Sequence, residues 1–230
     1  QAAARWVIDP IDGTVNFTYG IPHACVSIAL QTRSGERGTR NGKGKYTTVV
    51  GVVYDPFLDE MWTAIRGRPA RLNGRIIRVS RRKRLDEAIV AMGFAKNEST
   101  MQKMLPAFNR LVPRVRKIRL LGAAALSMTW VATGRLDAYK EYGVRLWDIA
   151  AGGLIIECAG GAFWYRQGAG EHTSAICVHN RLLPRPNQAV SCTDDGDESA
   201  APCTAVTACQ PPAQFWAVYL TPPPAPSRPA

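Results

Sequence analysis

The sequence predicts a layered α/β protein, and three observations carry that reading. Short apolar runs rich in β-branched residues recur through the first half, separated by turn residues. Two longer, almost wholly apolar stretches follow in the second half, each closed by glycine, and read as helices. Hydrophobic residues make up 46% and charged residues 20% of the 230, an ordinary globular composition. No apolar run approaches the roughly 18 residues of a membrane span. The opening "QAAARW" lacks the layout of a signal peptide and starts on Gln1, which hints at a fragment or a processed form.

The elements follow in order. Residues 5–9 read as a strand, as do "CVSIAL" (25–30) and "TTVVGVVYDP" (47–56), with the Gly, Arg and Lys-rich link 32–46 as a flexible hairpin loop. "EMWTAIRG" (60–67) is a fourth strand, followed by a turn at Leu72-Asn73-Gly74 and a short strand "RIIRVS" (75–80). "DEAIVAMGF" (86–94) contains another strand, and residues 98–115 form a helix in pieces, broken at Pro106 and Pro113. "KIRLLG" (117–122) is a strand or edge, and "AAALSMTWVATG" (123–134) a helix stopped by Gly134. "LDAYKEYG" (136–143) is a strand and "WDIAAGGLIIECAGG" (147–161) a helix ended by glycines. One domain is expected over 1–182. Ten of the 16 prolines fall between Pro184 and Pro229, so 183–230 reads as a disordered tail.

The net charge is +11. Cations concentrate at 33–45, 66–78 and 81–84, but the first and last of these runs carry no interleaved aromatic residues. Single-stranded nucleic acid needs such stacking platforms, so a nucleic-acid partner is disfavoured. Six cysteines are scattered with no C-x-x-C pair, which argues against zinc and for a reducing compartment. Cys25 and Cys158 lie in apolar runs and read as buried thiols.

The chemistry gathers in "RWVIDPIDGTVNF" (5–17). A strand ending in an acid delivers a carboxylate to the sheet edge, where α/β proteins build sites. Pro10 fixes one backbone angle and forces a turn. That turn can aim Asp9, the Ile11 carbonyl and Asp12 at one point, the oxygen-rich arrangement that Mg²⁺ prefers. Gly13 allows close approach of the backbone. A helix starting at Thr14 would offer free N–H groups to a phosphate. The plain alternative is a turn, since D-P and D-G are common turn dipeptides.

"DPIDGTVNF" resembles the first signature of the inositol monophosphatase family, Mg²⁺-dependent and lithium-sensitive phosphatases, and "WDIAAGGLIIECAGG" resembles the second. The segments 51–64, 72–80 and 120–143 fit the same family in order, so the resemblance covers roughly 5–165. It implies a layered α-β-α-β sugar-phosphatase fold and Mg²⁺-assisted hydrolysis of a phosphate monoester, with inositol 1-phosphate foremost. Related members act on histidinol phosphate, fructose bisphosphate or nucleotide 3′-phosphates. The resemblance makes Asp9, Ile11 (through its carbonyl), Asp12 and Asp148 metal ligands, and Thr14, with Asp12, catalytic. It makes Asp12, Gly13, Thr14, Gly122, Ala123, Ala124, Glu141 and Asp148 substrate contacts. Without it, Asp148 reads as the N-cap of its helix and Glu141 as a solvated acid.

The family's upstream Gly-Glu-Glu segment, N-terminal helices and a lysine-bearing loop have no counterpart in these residues. An N-terminally incomplete domain is therefore expected, with a weakened metal site and one bared apolar sheet face. A catalytically impaired form that keeps metal and phosphate binding is the rival reading. The expected partner is a small phosphorylated substrate, with no membrane. A homodimer and a cytoplasmic or chloroplast setting are left open.

Overall fold

The computed structural model describes residues 2–33, 46–94, 98–167 and 173–180. Most of the 32–46 link and the whole 183–230 tail thus lie outside the described residues. Strand β1 (Ala4–Asp12) pairs with β2 (Cys25–Arg33), β2 with β3 (Tyr46–Asp55) and β3 with β4 (Glu60–Ile65), all antiparallel. A small hairpin, β5 (Arg71–Leu72) and β6 (Arg75–Ile76), completes a six-stranded sheet in sequence order. Asn73 and Gly74 make its turn in the left-handed region, as the sequence led one to expect. The strand expected over 75–80 stops at Ile76. Beyond it Ile77 N–H bonds to the Ala70 carbonyl and Val79 N–H to the Ala159 carbonyl, which draws the chain onto the body instead.

The second sheet runs β10-β11-β9-β7-β8. Its strands are β7 (Ile89–Met92), β8 (Lys117–Arg119), β9 (Ala138–Glu141), β10 (Ala162–Gln167) and β11 (Thr173–His179). β7 is parallel to β8 and β9, and the remaining pairs are antiparallel. β10 was not legible in the sequence.

Helices α3 (Ala124–Ala132) and α4 (Leu146–Cys158) fill the space between the sheets. Nearly every residue of both is apolar, because both sides of each helix are covered. Val7, Ala29, Val53 and Trp62 of the first sheet join Leu126, Met128, Ile155 and Ile156 of the helices in one core. A second core forms where helix α2 (Glu98–Leu111) packs Met104, Ala107 and Leu111 on Val90 and Met92 of β7. The layers are sheet, helices, sheet, helix. The first sheet's other face carries exposed Trp6, Ile8, Met61 and Ile65.

Two expectations need correction. α2 runs unbroken through Pro106 and ends at Leu111, before Pro113. An interior proline costs about 3 kcal/mol. Burying Met104 and Leu111 returns about 1.5–3 kcal/mol each, so packing outweighs propensity. Cys158 is half-buried rather than buried, with its thiol 3.6 Å from the Ile65 carbonyl.

Close packing sets the position of α4. A Cβ on Gly51 of β3 would lie 2.9 Å from the Ala151 carbonyl oxygen and 3.1 Å from its Cα. Only the missing side chain lets that strand approach the helix backbone. Gly51→Ala is expected to destabilise the chain by about 1–3 kcal/mol, read as a lower denaturant midpoint at unchanged slope. Pro106→Ala, at an exposed helical position, is expected to stabilise it by about 1–3 kcal/mol in the same assay.

Candidate active site

Asp9 and Asp12 are three apart, and on a regular strand such residues point to opposite faces. The pairing of β1 with β2 resolves this. Asp9 lies opposite Ser27 and Asp12 opposite Cys25, so β1 spends three residues where β2 spends two. The extra residue is a bulge at Pro10-Ile11, and it turns both acids inward, where both are buried. The Ile11 N–H donates to Asp9 Oδ1 at 3.1 Å and fixes the first carboxylate.

Asp12 reaches the start of α3. Its Oδ1 accepts the Ala124 N–H at 3.2 Å and its Oδ2 the Ala125 N–H at 2.7 Å. The first-turn N–H groups of a helix have no partner within the helix. Here an acid 112 residues away supplies one. The Cys25 thiol also lies 3.7 Å from Asp12 Oδ2. Burial, and then repulsion from Asp148, push Asp12 up to about 7 against these amides, with Asp9 adding to the rise.

Asp148 sits in the first turn of α4. It is not the N-cap that the sequence suggested: Arg145 holds that position, and its N–H donates to Asp148 Oδ2 at 2.6 Å. Burial raises Asp148 to about 6. That value is the net of burial and Asp9, which raise it, and the Arg145 N–H and guanidinium, which oppose them. Asp9, Asp12 and Asp148 each offer an oxygen within 4.8 Å of the others'. Three packed carboxylates with no cation among the donors form an all-oxygen site suited to a hard divalent ion.

The sequence-predicted neighbours distribute as follows. Gly13 is buried in the left-handed region (φ 84), and a Cβ there would meet the His23 carbonyl at 2.9 Å. Thr14 opens the short helix α1 (Thr14–Thr18), is exposed, and donates its hydroxyl to the Ile11 carbonyl at 2.8 Å. Gly122 is exposed in the left-handed region, and Ala123 and Ala124 are buried at the head of α3. Glu141 ends β9 and is not the solvated acid that its position alone suggested. The Tyr139 hydroxyl donates to it, and its carboxylate fills the space beside Gly93, where any side chain would collide with it. Burial, reinforced by Asp148, raises it to about 7.

Sequence reasoning missed four contributors: the Ala125 amide, Cys25 beside Asp12, Tyr139, and Asn16 in α1. The Asn16 side chain donates to the carbonyls of His23 and Leu121. Only Asn16 left a trace in the sequence, as the polar residue after the D-G-T turn. Among the described residues no helix is long and apolar enough to cross a membrane.

A β-α-β-α sandwich places a carboxylate cluster that could hold a metal ion at the end of β1 and the head of α4, against the head of α3. The sequence matches the Inositol monophosphatase family over residues 1–195, and the chain belongs to that family. It is 43% identical over 158 residues to the Nus factor SuhB of Pasteurella multocida, covering 68% of this chain and 55% of that protein. It is 42% identical over 160 residues to inositol monophosphatase 2 of Solanum lycopersicum, covering 68% of this chain and 56% of the relative. The chain thus spans about half the length of these curated relatives. Among solved structures, an inositol monophosphatase from Anabaena superposes with a TM-score of 0.67 at 35% identity, covering 78% of this chain and 68% of the other.

The raised carboxyls set a pH dependence. A carboxyl whose pKa is higher folded than unfolded takes up a proton on folding, so stability falls as pH rises between the two values. For Asp12 that window runs from the usual 3.8 to about 7. The metal-free chain in a chelator is expected to be more stable at pH 5 than at pH 8, by an amount on the order of 2 kcal/mol. Asp12→Asn should flatten that slope, and Mg²⁺ should raise the thermal midpoint chiefly at pH 8.

Proposed function

We propose that this chain is a Mg²⁺-dependent phosphate monoester hydrolase, with inositol monophosphate as its substrate class. The observation that carries this reading is the all-oxygen Asp9-Asp12-Asp148 cluster, with Asp9 and Asp12 buried and Asp148 half-buried, beside helix N-termini. Asp9, Asp12, Asp148 and the Ile11 carbonyl would hold Mg²⁺, which supplies Lewis acidity toward a phosphoryl oxygen. The backbone at Gly13 and Thr14 faces a phosphate, because the left-handed Gly13 opens α1 with unpaired N–H groups. The Thr14 hydroxyl, anchored to the Ile11 carbonyl, orients the attacking water. Gly122, Ala123 and Ala124 form the turn against which the substrate rests. Glu141 accepts or donates a hydrogen bond at a substrate hydroxyl, since a carboxyl raised to about 7 does either near neutrality.

The reaction adds water across the phosphate ester and yields the alcohol and inorganic phosphate. The family membership and the relative named as an inositol monophosphatase support the inositol reading over other esters.

Phosphate release from inositol 1-phosphate tests this, beside histidinol phosphate, fructose bisphosphate and a nucleotide 3′-phosphate. Release is expected to require Mg²⁺, to be fastest on the inositol ester, and to fall at least about a hundredfold in Asp12→Asn. A folded wild-type chain that binds metal but releases no phosphate from any ester would instead support the catalytically impaired reading.

A further inference from the structure

We infer that Asn16 is a positioning residue that locks the metal-bearing loop to the turn at the head of α3. The inference rests on the phosphatase reading for its functional consequence, but the clamp itself is a matter of geometry. Asn16 Nδ2 donates to the His23 carbonyl at 2.9 Å and to the Leu121 carbonyl at 2.8 Å. An amide nitrogen has two hydrogens to give, and both are used on two separate pieces of chain. His23 is seven residues away, at the entry to β2; Leu121 is 105 residues away, directly before Gly122.

What lies on each side makes the link consequential. Asn16 sits in α1, four residues past Asp12 and two past Thr14. Leu121 leads into Gly122, Ala123 and the first amides of α3, which Asp12 itself engages. The fit is tight. A Cβ on Gly122 would lie 3.2 Å from Asn16 Nδ2, and one on Gly13 would lie 3.1 Å from Ala123 Cβ. Asp12 therefore ties the loop to the helix, while Asn16 ties the loop to the turn before it. With Asn16 gone, Asp12 keeps its own amides, so the carboxylate cluster survives. What loosens is the position of the Gly122–Ala124 turn relative to Gly13 and Thr14, the two surfaces between which a phosphate ester would lie. The signature residue Asn16 is thus assigned to substrate geometry and not to metal binding.

The test compares wild type with Asn16→Ala, Asn16→Asp, which keeps the size and removes the donors, and Asn16→Ser, which keeps one donor. Three quantities are read: amide hydrogen exchange of the 119–126 segment against the α4 segment 149–157, Mn²⁺ binding by electron paramagnetic resonance, and binding of inorganic phosphate in the presence of Mn²⁺. Asn16→Ala and Asn16→Asp are expected to exchange about tenfold faster at 119–126 with α4 unchanged. Mn²⁺ affinity should stay within about twofold and phosphate affinity fall about tenfold, with Asn16→Ser between. Unchanged exchange at 119–126 in the Ala and Asp variants overturns the clamp, as does a parallel loss of Mn²⁺ and phosphate binding with the thermal midpoint. Faster exchange in the variants, with no phosphate binding even by wild type, leaves the clamp standing and overturns the phosphatase reading.

Discussion

Three carboxylates within 4.8 Å of one another repel, and the interior that holds them strips away the water that would screen the repulsion. Everything around the cluster can be read as an answer to that problem. Asp12 takes two amides from the head of α3, and Asp148 takes the Arg145 amide at the head of α4. Each helix end adds a favourable dipole for negative charge. These donors reduce the cost without removing it, because Asp12 and Asp148 are still pushed up to about 7 and about 6. A site left in that state is poised for a cation, and a divalent ion resolves the repulsion that the protein only partly offsets.

The sandwich exists to bring those helix ends to one place. α4 delivers Asp148, and its register is fixed from both sides. Gly51 of the first sheet admits the Ala151 backbone, and on the other side a Cβ at Gly153 would lie 2.5 Å from the Phe163 ring. α3 is fixed against α4 by the close approach of Met128 to Gly152. Glycine and alanine run through α4 for that reason, although glycine weakens an isolated helix by roughly 1 kcal/mol each. Close packing between rigid layers is what lets side chains from β1 and α4 meet to within a few ångströms.

Much of this was legible in the sequence, but unevenly. β1 to β4 and both central helices followed from β-branched runs, apolar stretches and terminal glycines. The acids Asp9, Asp12 and Asp148 stood out through their motifs. Pro106 misled because a local rule was set against the tertiary burial of Met104 and Leu111. Glu141 misled in the opposite way: its burial comes from Gly93 and Tyr139, and only the fold puts Gly93 against it. Asp148 looked like a cap because the true cap, Arg145, has no capping side-chain chemistry of its own to announce it. The Ala125 amide left no signal at all, since a backbone donor has no letter in the sequence.

The odd spacing in D-P-x-D explains why this motif can be read so far ahead of the structure. Two acids three apart reach one face of a strand only if one residue is inserted, and an inserted residue leaves the ladder unpaired. Proline at that point has no N–H to orphan, so Pro10 fits the bulge where another residue would waste a donor. Ala123 and Gly13 follow from the same closeness: once Asp12 is pressed against α3, the residues beside it must be small. α3 has no side chain at Ala123 to cap it, and needs none, because the cap comes from Asp12 at the end of β1. The acid at the heart of the carboxylate cluster and the acid that caps the helix are one residue, so the stability of α3 and the charge of the cluster cannot be altered independently.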